Sequence, residues 1–509
     1  MAEFLKRQWI LIVILLFALS IRFLYFPDNI YFGYDQARDA FVVQELLEGN
    51  LRLVGPTTLI DGLFHGPLYY YIFAPFHFLS GGNPEIINAF LRVLNATGVV
   101  WVFLIGYFLF GRKTGLLAAF LYAISFEQTQ FAIYQNHPSL SVQAVLIYYL
   151  GLVLLLFKKK WWGLVVAALG WGVSIQLEFP LIYLGIGGFI LLLGLGRFGH
   201  MLPKMSFKQM ALAAGVFLMS IATFILAEFK FNFKGIQTLI FGILFSHSET
   251  KPDIFSNITL IYSRFIADSI FSIWPGLIGL LIFFLAIFYI WKKYELKKTV
   301  FLLVWFGIGL IPYLKNTASI PLYYYSGGAS VAAVIFVSFL LVKLGQKRLW
   351  LSWILVILIV LSNIYQIQKY NPFGTLPSIN VQSGMLWSDQ KKIVDYIYHD
   401  AAGQPFAVNA LSVPLNVNTV WSYVFEQYGA KKYGYLPVWG GNAASGYAGH
   451  LKVETSRSEL PMTQYLIIEP IRGIEKYMVD DFMNVEDIFT RSNEEKQFGL
   501  IKVQKRQRI

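Results

Sequence analysis

The stretch GYDQARDAF, Gly33 to Phe41, follows directly on the first hydrophobic run of the chain, Trp9 to Tyr25. A run of that length and apolarity reads as a membrane helix, so the polar stretch begins where the bilayer meets water. Asp35 and Asp39 are four residues apart and share one face of a helix. Two acids at a membrane surface are placed for chemistry on a lipid-borne substrate.

Working outward, composition supports the membrane setting. Hydrophobic residues make up 56% of the 509, aromatics 17% and charged residues 14%, against about a quarter charged in an average soluble domain. The chain has no cysteine, which excludes disulfide frameworks and thiolate metal sites. Lys6 and Arg7 precede the first run, and no small-residue cleavage site follows it before Asp28, so the run reads as a retained anchor with a cytoplasmic N-terminus. The net charge of +12 does not mark a nucleic-acid binder. The basic residues fall in short connections between apolar runs: Lys6/Arg7, Arg112/Lys113, Lys158 to Lys160, Arg197/Lys204/Lys208, Lys292/Lys293/Lys297/Lys298 and Lys343/Lys347/Arg348. The positive-inside rule places all of them in the cytoplasm. The expected spans are residues 9–26, 85–110, 115–133, 139–157, 161–177, 180–196, 209–228, 273–291, 299–314, 321–342 and 349–366, about eleven by the length rule.

Gly66 to Leu79 (GPLYYYIFAPFHFL) is short, opens with Gly-Pro and carries Pro75 and His77. Were it to cross, every later basic cluster would be inverted, so it reads as interfacial or re-entrant. The first outer loop then runs over 27–84, too long for a simple connection. A second long outer segment, 229–272, mixes Lys230, Lys234, Lys251 and Arg264 with apolar faces and also reads as interfacial. After residue 369 the chain gains Asn, Asp, Gly and Ser. Alternating runs such as PFAVNA and QYLIIEP lie between helical stretches such as SDQKKIVDYIYHDA. The expected organisation is a polytopic α-helical membrane domain over 1–369 and an extracytoplasmic α+β domain over 370–509. No repeat, phosphate loop, metalloprotease helix or ATP-binding signature occurs, which argues against chemistry driven directly by ATP.

The order of a basic start, one helix, YDQARDA, LLEGNLRLVGP, FHGPLYYY and a multi-span body resembles the GT-C glycosyltransferases, especially relatives of the protein O-mannosyltransferases and the lipid A aminoarabinose transferases. The resemblance covers about residues 1 to 370 in order and topology and is specific in the first hundred. It implies a multi-pass cell-membrane enzyme, a hexosyl- or pentosyltransferase, moving one sugar from a polyprenyl-phosphate carrier to a protein, lipid or glycan acceptor on the outer face. It further implies that Asp35 is the catalytic carboxylate. Gln36 stands where a second acid often lies in the family, with Tyr34 beside the pair and Asp39 one turn on. His65-Gly66-Pro67-Leu68 resembles the family's His-Pro-Pro-Leu element, with Gly in place of its first Pro. Where several relatives carry another acid in the second outer loop, YQNHPSL offers Asn136 and His137. No metal-ligand set is assigned, and a divalent cation stays an open alternative.

A phosphate leaving group needs charge stabilisation more than protonation, so one base suffices where a glycosidase needs two carboxyls. The resemblance makes Asp35 the general base of an inverting transfer. Candidate partners for the donor phosphate are Lys230, Lys234, Lys251, Arg264 and Lys315, with Tyr324 and its neighbours as hydroxyl donors. Plainer readings stand beside these. Asp35 alone reads as the N-cap of a helix beginning near Gln36, and Asp39 as a surface residue paired with Arg38. His137 and Glu178 lie at outer helix ends, where polar residues are ordinary. A transporter or lipid-sugar flippase is the alternative function, although matched broken spans are not evident in the sequence. An oligosaccharyltransferase lacks its WWDYG signature here, and a non-catalytic assembly subunit also stays open.

Overall fold

The computed structural model describes residues 2–58, 60, 62–245, 254–272, 295–314, 323–376 and 382–509. Among these, six helices are long and apolar enough to cross a membrane: Pro84–Phe110 (α4), His137–Leu156 (α7), Phe179–Phe198, Leu296–Tyr313, Ala329–Lys347 and Leu349–Phe373. Two bent pairs pass the same test, Arg112–Ile124 (α5) with Phe126–Ile133 (α6) at 53°, and Phe207–Ser220 with Ala222–Lys230 at 58°. Trp9–Arg22, within the helix Ala2–Arg22 (α1), and Gly163–Leu177 (α8) are shorter and apolar. Ten of the expected spans therefore fall on helices, and the span at 273–291 lies outside the described residues.

Small residues set how closely these helices approach. A Cβ added at Gly151 of α7 would lie 2.3 Å from the Ala167 nitrogen of α8, and one at Gly170 would lie 2.4 Å from the Tyr148 nitrogen. Two buried arginines close the helix ends next to the first loop. Arg22 donates to the carbonyls of Ala123 (2.5 Å) and Tyr122 (3.0 Å) at the end of α5, and Arg92 donates to the Arg22 carbonyl (2.6 Å). Each cation thus sits where helix carbonyls lack intrahelical partners and the helix dipole is negative.

The first outer loop is folded. It holds the helix Tyr34–Leu47 (α2), an antiparallel bridge between Thr57 and Phe64, and the helix Leu68–Ser80 (α3). The 13 residues of α3 extend about 20 Å at 1.5 Å per residue, short of the roughly 30 Å hydrocarbon core. Its buried Tyr69, Tyr70 and Phe73 pack with Val43 and Leu46 of α2.

The tail forms a five-stranded sheet in the order β2-β1-β3-β5-β4. Ala407–Leu411 (β1) runs parallel to Val438–Trp439 (β2) and to Thr463–Ile468 (β3). Thr490–Phe498 (β4) and Ile501–Arg508 (β5) form an antiparallel hairpin joined to β3. This unit docks directly on the first outer loop. Phe32 N–H donates to the Met385 carbonyl (2.8 Å), Trp387 N–H to the Ile30 carbonyl (2.9 Å), and the Tyr423 hydroxyl to the Gly82 carbonyl (2.6 Å). The Phe32 ring packs between Trp387 and Tyr423.

Candidate active site

Helix α2 starts at Tyr34 with Gly33 as its N-cap, so Asp35 lies inside the first turn and does not cap. The capping role belongs to Gln36, whose Oε1 accepts from Gly33 N–H (3.1 Å) while its Nε2 donates to the Gln135 carbonyl (3.0 Å). Gln36 is thereby turned inward. Arg38 joins the two acids. It donates through Nη1 to Asp35 Oδ1 (2.8 Å) and through Nε to Asp39 Oδ1 (2.9 Å), with Nη2 also 2.8 Å from Asp39. The two carboxylates differ sharply in setting: the Asp35 side chain is 44% exposed, that of Asp39 3%. Tyr70 donates to the Asp39 Oδ1 as well (3.3 Å), yet the buried Asp39 Oδ2 has no hydrogen-bond partner among the described residues. Burial outweighs the pull of Arg38 and pushes the Asp39 carboxyl up to about 6. Tyr34 is half-buried, its ring beneath Arg38 and against Tyr447 of the outer domain.

His65 is held by the loop backbone, whose Gly55 and Pro56 pair with its carbonyl and N–H, and its Nδ1 accepts from Phe179 N–H (3.1 Å). The next position is tight and favours glycine. A Cβ at Gly66 would meet Gln176 Oε1 at 2.1 Å and the Gln176 carbonyl at 2.8 Å, so the Pro of the resembling element does not fit. The His65 and His137 rings lie 4.3 Å apart. Between them sits Glu178, fully buried, 3.1 Å from His137 Nδ1 and 3.8 Å from His65 Nδ1. Neither Glu178 oxygen has a hydrogen-bond partner among the described residues. Burial raises the Glu178 carboxyl to about 7 and lowers the His65 imidazole to about 3.

These three side chains are the one group of metal-ligand type found among the described residues. Two imidazoles and a carboxylate within 4.8 Å of one another suit a borderline ion such as zinc, not an oxygen-seeking ion such as magnesium. The unpartnered Glu178 oxygens fit that use. His137 would offer Nε2, because its Nδ1 lies 2.8 Å from the Leu177 carbonyl, a common way to orient a ligand imidazole. His65 would first have to release Phe179 N–H.

The remaining sequence candidates divide. Tyr324 is half-buried, with its ring 6.5 Å from Tyr134. Lys230 is exposed, its ammonium over the neighbouring Phe231 ring, and Arg264 is engaged by Asp268 at 2.8 Å. Lys251 and Lys315 lie outside the described residues. The nearest cation to Asp35 is instead Arg38, within the quoted motif itself. The sequence reading treated Arg38 only as a local partner and Glu178 only as a helix-end residue. The spacing from Asp35 to Arg38 was a usable signal; the meeting of Glu178 with His65 depends on tertiary structure alone.

This architecture, a helical membrane bundle with a folded acidic outer loop beneath a sheet domain, is the GT-C fold. Residues 64–226 match the family model for dolichyl-phosphate-mannose-protein mannosyltransferase. Among solved structures, the chain is similar to ArnT from Cupriavidus metallidurans in the apo state (9% identity, TM-score 0.61) and bound to undecaprenyl phosphate (10%, 0.60), each alignment covering 98% of both chains. The apo oligosaccharyltransferase of Archaeoglobus fulgidus is also similar, at 12% identity and TM-score 0.51 over 82% of this chain and 64% of that one. No curated protein matches by sequence.

Proposed function

We propose that the protein is a membrane glycosyltransferase that moves a monosaccharide from a polyprenyl-phosphate carrier to an acceptor on the outer face, with inversion at the anomeric carbon. The observation that carries this reading is the Asp35–Arg38–Asp39 arrangement on α2, set in a chain that aligns end to end with a structure described as bound to undecaprenyl phosphate. Asp39 is buried and anchors Arg38, whose guanidinium also reaches the exposed Asp35. On donor binding, Arg38 exchanges part of its contact with Asp35 for the carrier phosphate, a charge-assisted bond suited to its planar fork. Asp35 is then free to take the proton of the acceptor hydroxyl. The acceptor oxygen bonds to the anomeric carbon, the bond from that carbon to the phosphate oxygen breaks, and the carrier phosphate leaves with the electron pair.

A zinc-class ion held by His65, His137 and Glu178 would supply positive charge beside this group and tie the first outer loop to the ends of α7 and α8. The protein-only part of the mechanism does not depend on it. The test is a reconstituted assay with a panel of polyprenyl-phosphate sugars, scoring release of the carrier phosphate. Acceptor-dependent release is expected. Movement of intact lipid-linked sugar across the bilayer without release would establish the flippase instead.

A further inference from the structure

The outer domain carries a cavity of about 270 Å³ that the proposed reaction does not use. It opens past the carboxyl end of β1, between the loop that follows β2 and the helix Lys476–Phe489, where parallel strands commonly present ligand sites. The floor is polar and built. Glu486, 3% exposed, accepts from Asn409 Nδ2 (3.0 Å) and from Arg457 Nη2 (2.6 Å). Arg457 in turn lies over the Phe489 ring. An ion pair whose carboxylate is buried, as that of Glu486 is, is a poor way to stabilise a small domain, since an apolar floor of equal volume is commonly as stable or more so.

Around that floor stand Asn416, Asn442, Tyr477 and Asp481, whose side chains make no hydrogen bond within the described residues. Together they offer two amides, a phenol and a carboxylate to one small space, with Phe482 as an apolar wall. Arg457 is neutralised by Glu486, so Asp481 leaves the cavity net negative, which disfavours phosphate and other anions. Its volume sits just below the usual range for drug-sized ligands, enough for one ring. Paired donors and acceptors beside an aromatic edge, without net positive charge, match a polyhydroxylated neutral ring.

The cavity is also linked to α2. The loop that contributes Asn442 continues to Tyr447, whose ring lies 5.9 Å from Tyr34, and to His450, whose ring lies 4.9 Å from Phe41. Tyr447 is five residues beyond Asn442, so the Cα atoms of the two lie within roughly 18 Å of each other. We propose that this cavity binds a sugar ring of a neutral glycan; that this glycan is the acceptor rests on the glycosyltransferase reading above.

The test is saturation-transfer NMR on the full-length protein in nanodiscs. The probes are methyl α-mannoside, methyl β-galactoside and methyl β-N-acetylglucosaminide, with inorganic phosphate and a blocked Ser/Thr peptide as the alternatives. Saturable binding of at least one glycoside is expected, weakened about tenfold or more in Asn442→Ala/Asp481→Ala, with no phosphate binding. Both substituted residues are exposed, and an unchanged melting temperature would show that the variant folds. If the variant does not fold, competition by the glycoside against spin-label quenching at Ser445→Cys reads the same cavity. No glycoside binding, unchanged affinity in a folded variant, or saturable binding of the peptide or phosphate in its place would each overturn the proposal. Donor turnover by the unmodified protein is measured alongside. Its absence with glycoside binding intact removes the transferase reading and leaves the glycan site, whereas turnover without glycoside binding does the reverse.

Discussion

At the scale of single residues, Asp35 and Asp39 differ in exposure, and the proposed mechanism gives them different roles. Asp35 Oδ2 has no hydrogen-bond partner among the described residues, and its side chain is 44% exposed, as the proposed role in meeting an acceptor requires. Asp35→Asn keeps the shape and removes the proposed base, so transfer should fall by about two or more orders of magnitude, the ordinary scale for a positioned base. Near-normal turnover by a folded Asp35→Asn protein would remove it from the mechanism. In the proposed mechanism Asp39 carries the pH dependence. Burial holds its carboxyl at about 6, so it is the anion above that pH and neutral below it. The anion is the form that anchors Arg38. Transfer should therefore be high above pH 6 and decline as the pH falls through about 6, and Asp39→Asn should be slower and lose that inflection. A rate profile with the same inflection in Asp39→Asn would assign it to another group. The acids were legible in the sequence because a four-residue spacing after a hydrophobic run specifies a face without any tertiary information. Which acid is buried was not, since that depends on Tyr70 and the packing of α3 onto α2.

At the scale of elements, the first outer loop is held by close approach and by side chains from distant segments. Its tightest point is Gly66 against Gln176. Gly66→Ala forces a Cβ into that amide and the carbonyl behind it, and should cost about 1–3 kcal/mol, the usual range for overpacking. The readout is the melting temperature, with Gln176→Ala as a second substitution that relieves the side-chain clash; an unshifted Gly66→Ala protein would mean that the loop moves freely. The same loop meets α7 and α8 through His65, His137 and Glu178. If these residues hold an ion, purified protein should carry a stoichiometric zinc-class metal by mass spectrometry. Glu178→Gln/His137→Ala should lose it and melt at lower temperature, and metal-free purified protein that is indifferent to chelator would dispose of the site. Helices were readily legible because apolar runs bounded by basic clusters leave few alternatives. In the tail, β1 and β3 were visible as alternating runs, as was the helix Trp387–Ala401. The β4–β5 hairpin was not, because β4 reads TRSNEEKQF and is exposed along most of its length. With no buried face, the period-two pattern that marks a strand is missing.

At the scale of the whole molecule, the outer domain and the first outer loop are one packed unit. Backbone hydrogen bonds join Phe32 to Met385 and Trp387 to Ile30, and Lys391 pairs with Glu85 at 2.6 Å. Such contacts require residues 27–84 and the tail to lie on the same side of the membrane. The positive-inside rule, applied to the basic clusters, predicts that Arg112/Lys113 lie on the opposite side. The absence of cysteine makes the arrangement directly measurable. Thr57, Ser445 and Lys113 are exposed positions, suited to a labelled residue, whereas Gly115 is packed against the Phe103 carbonyl and Gly441 against the Asn409 amide. In intact cells, an impermeant maleimide should modify Thr57→Cys and Ser445→Cys and spare Lys113→Cys until the membrane is opened. Labelling of Thr57→Cys without Ser445→Cys would contradict the packing itself. Labelling of all three would leave the packing standing and invert the reading of the basic clusters, and with it the side of the membrane on which the acceptor is met.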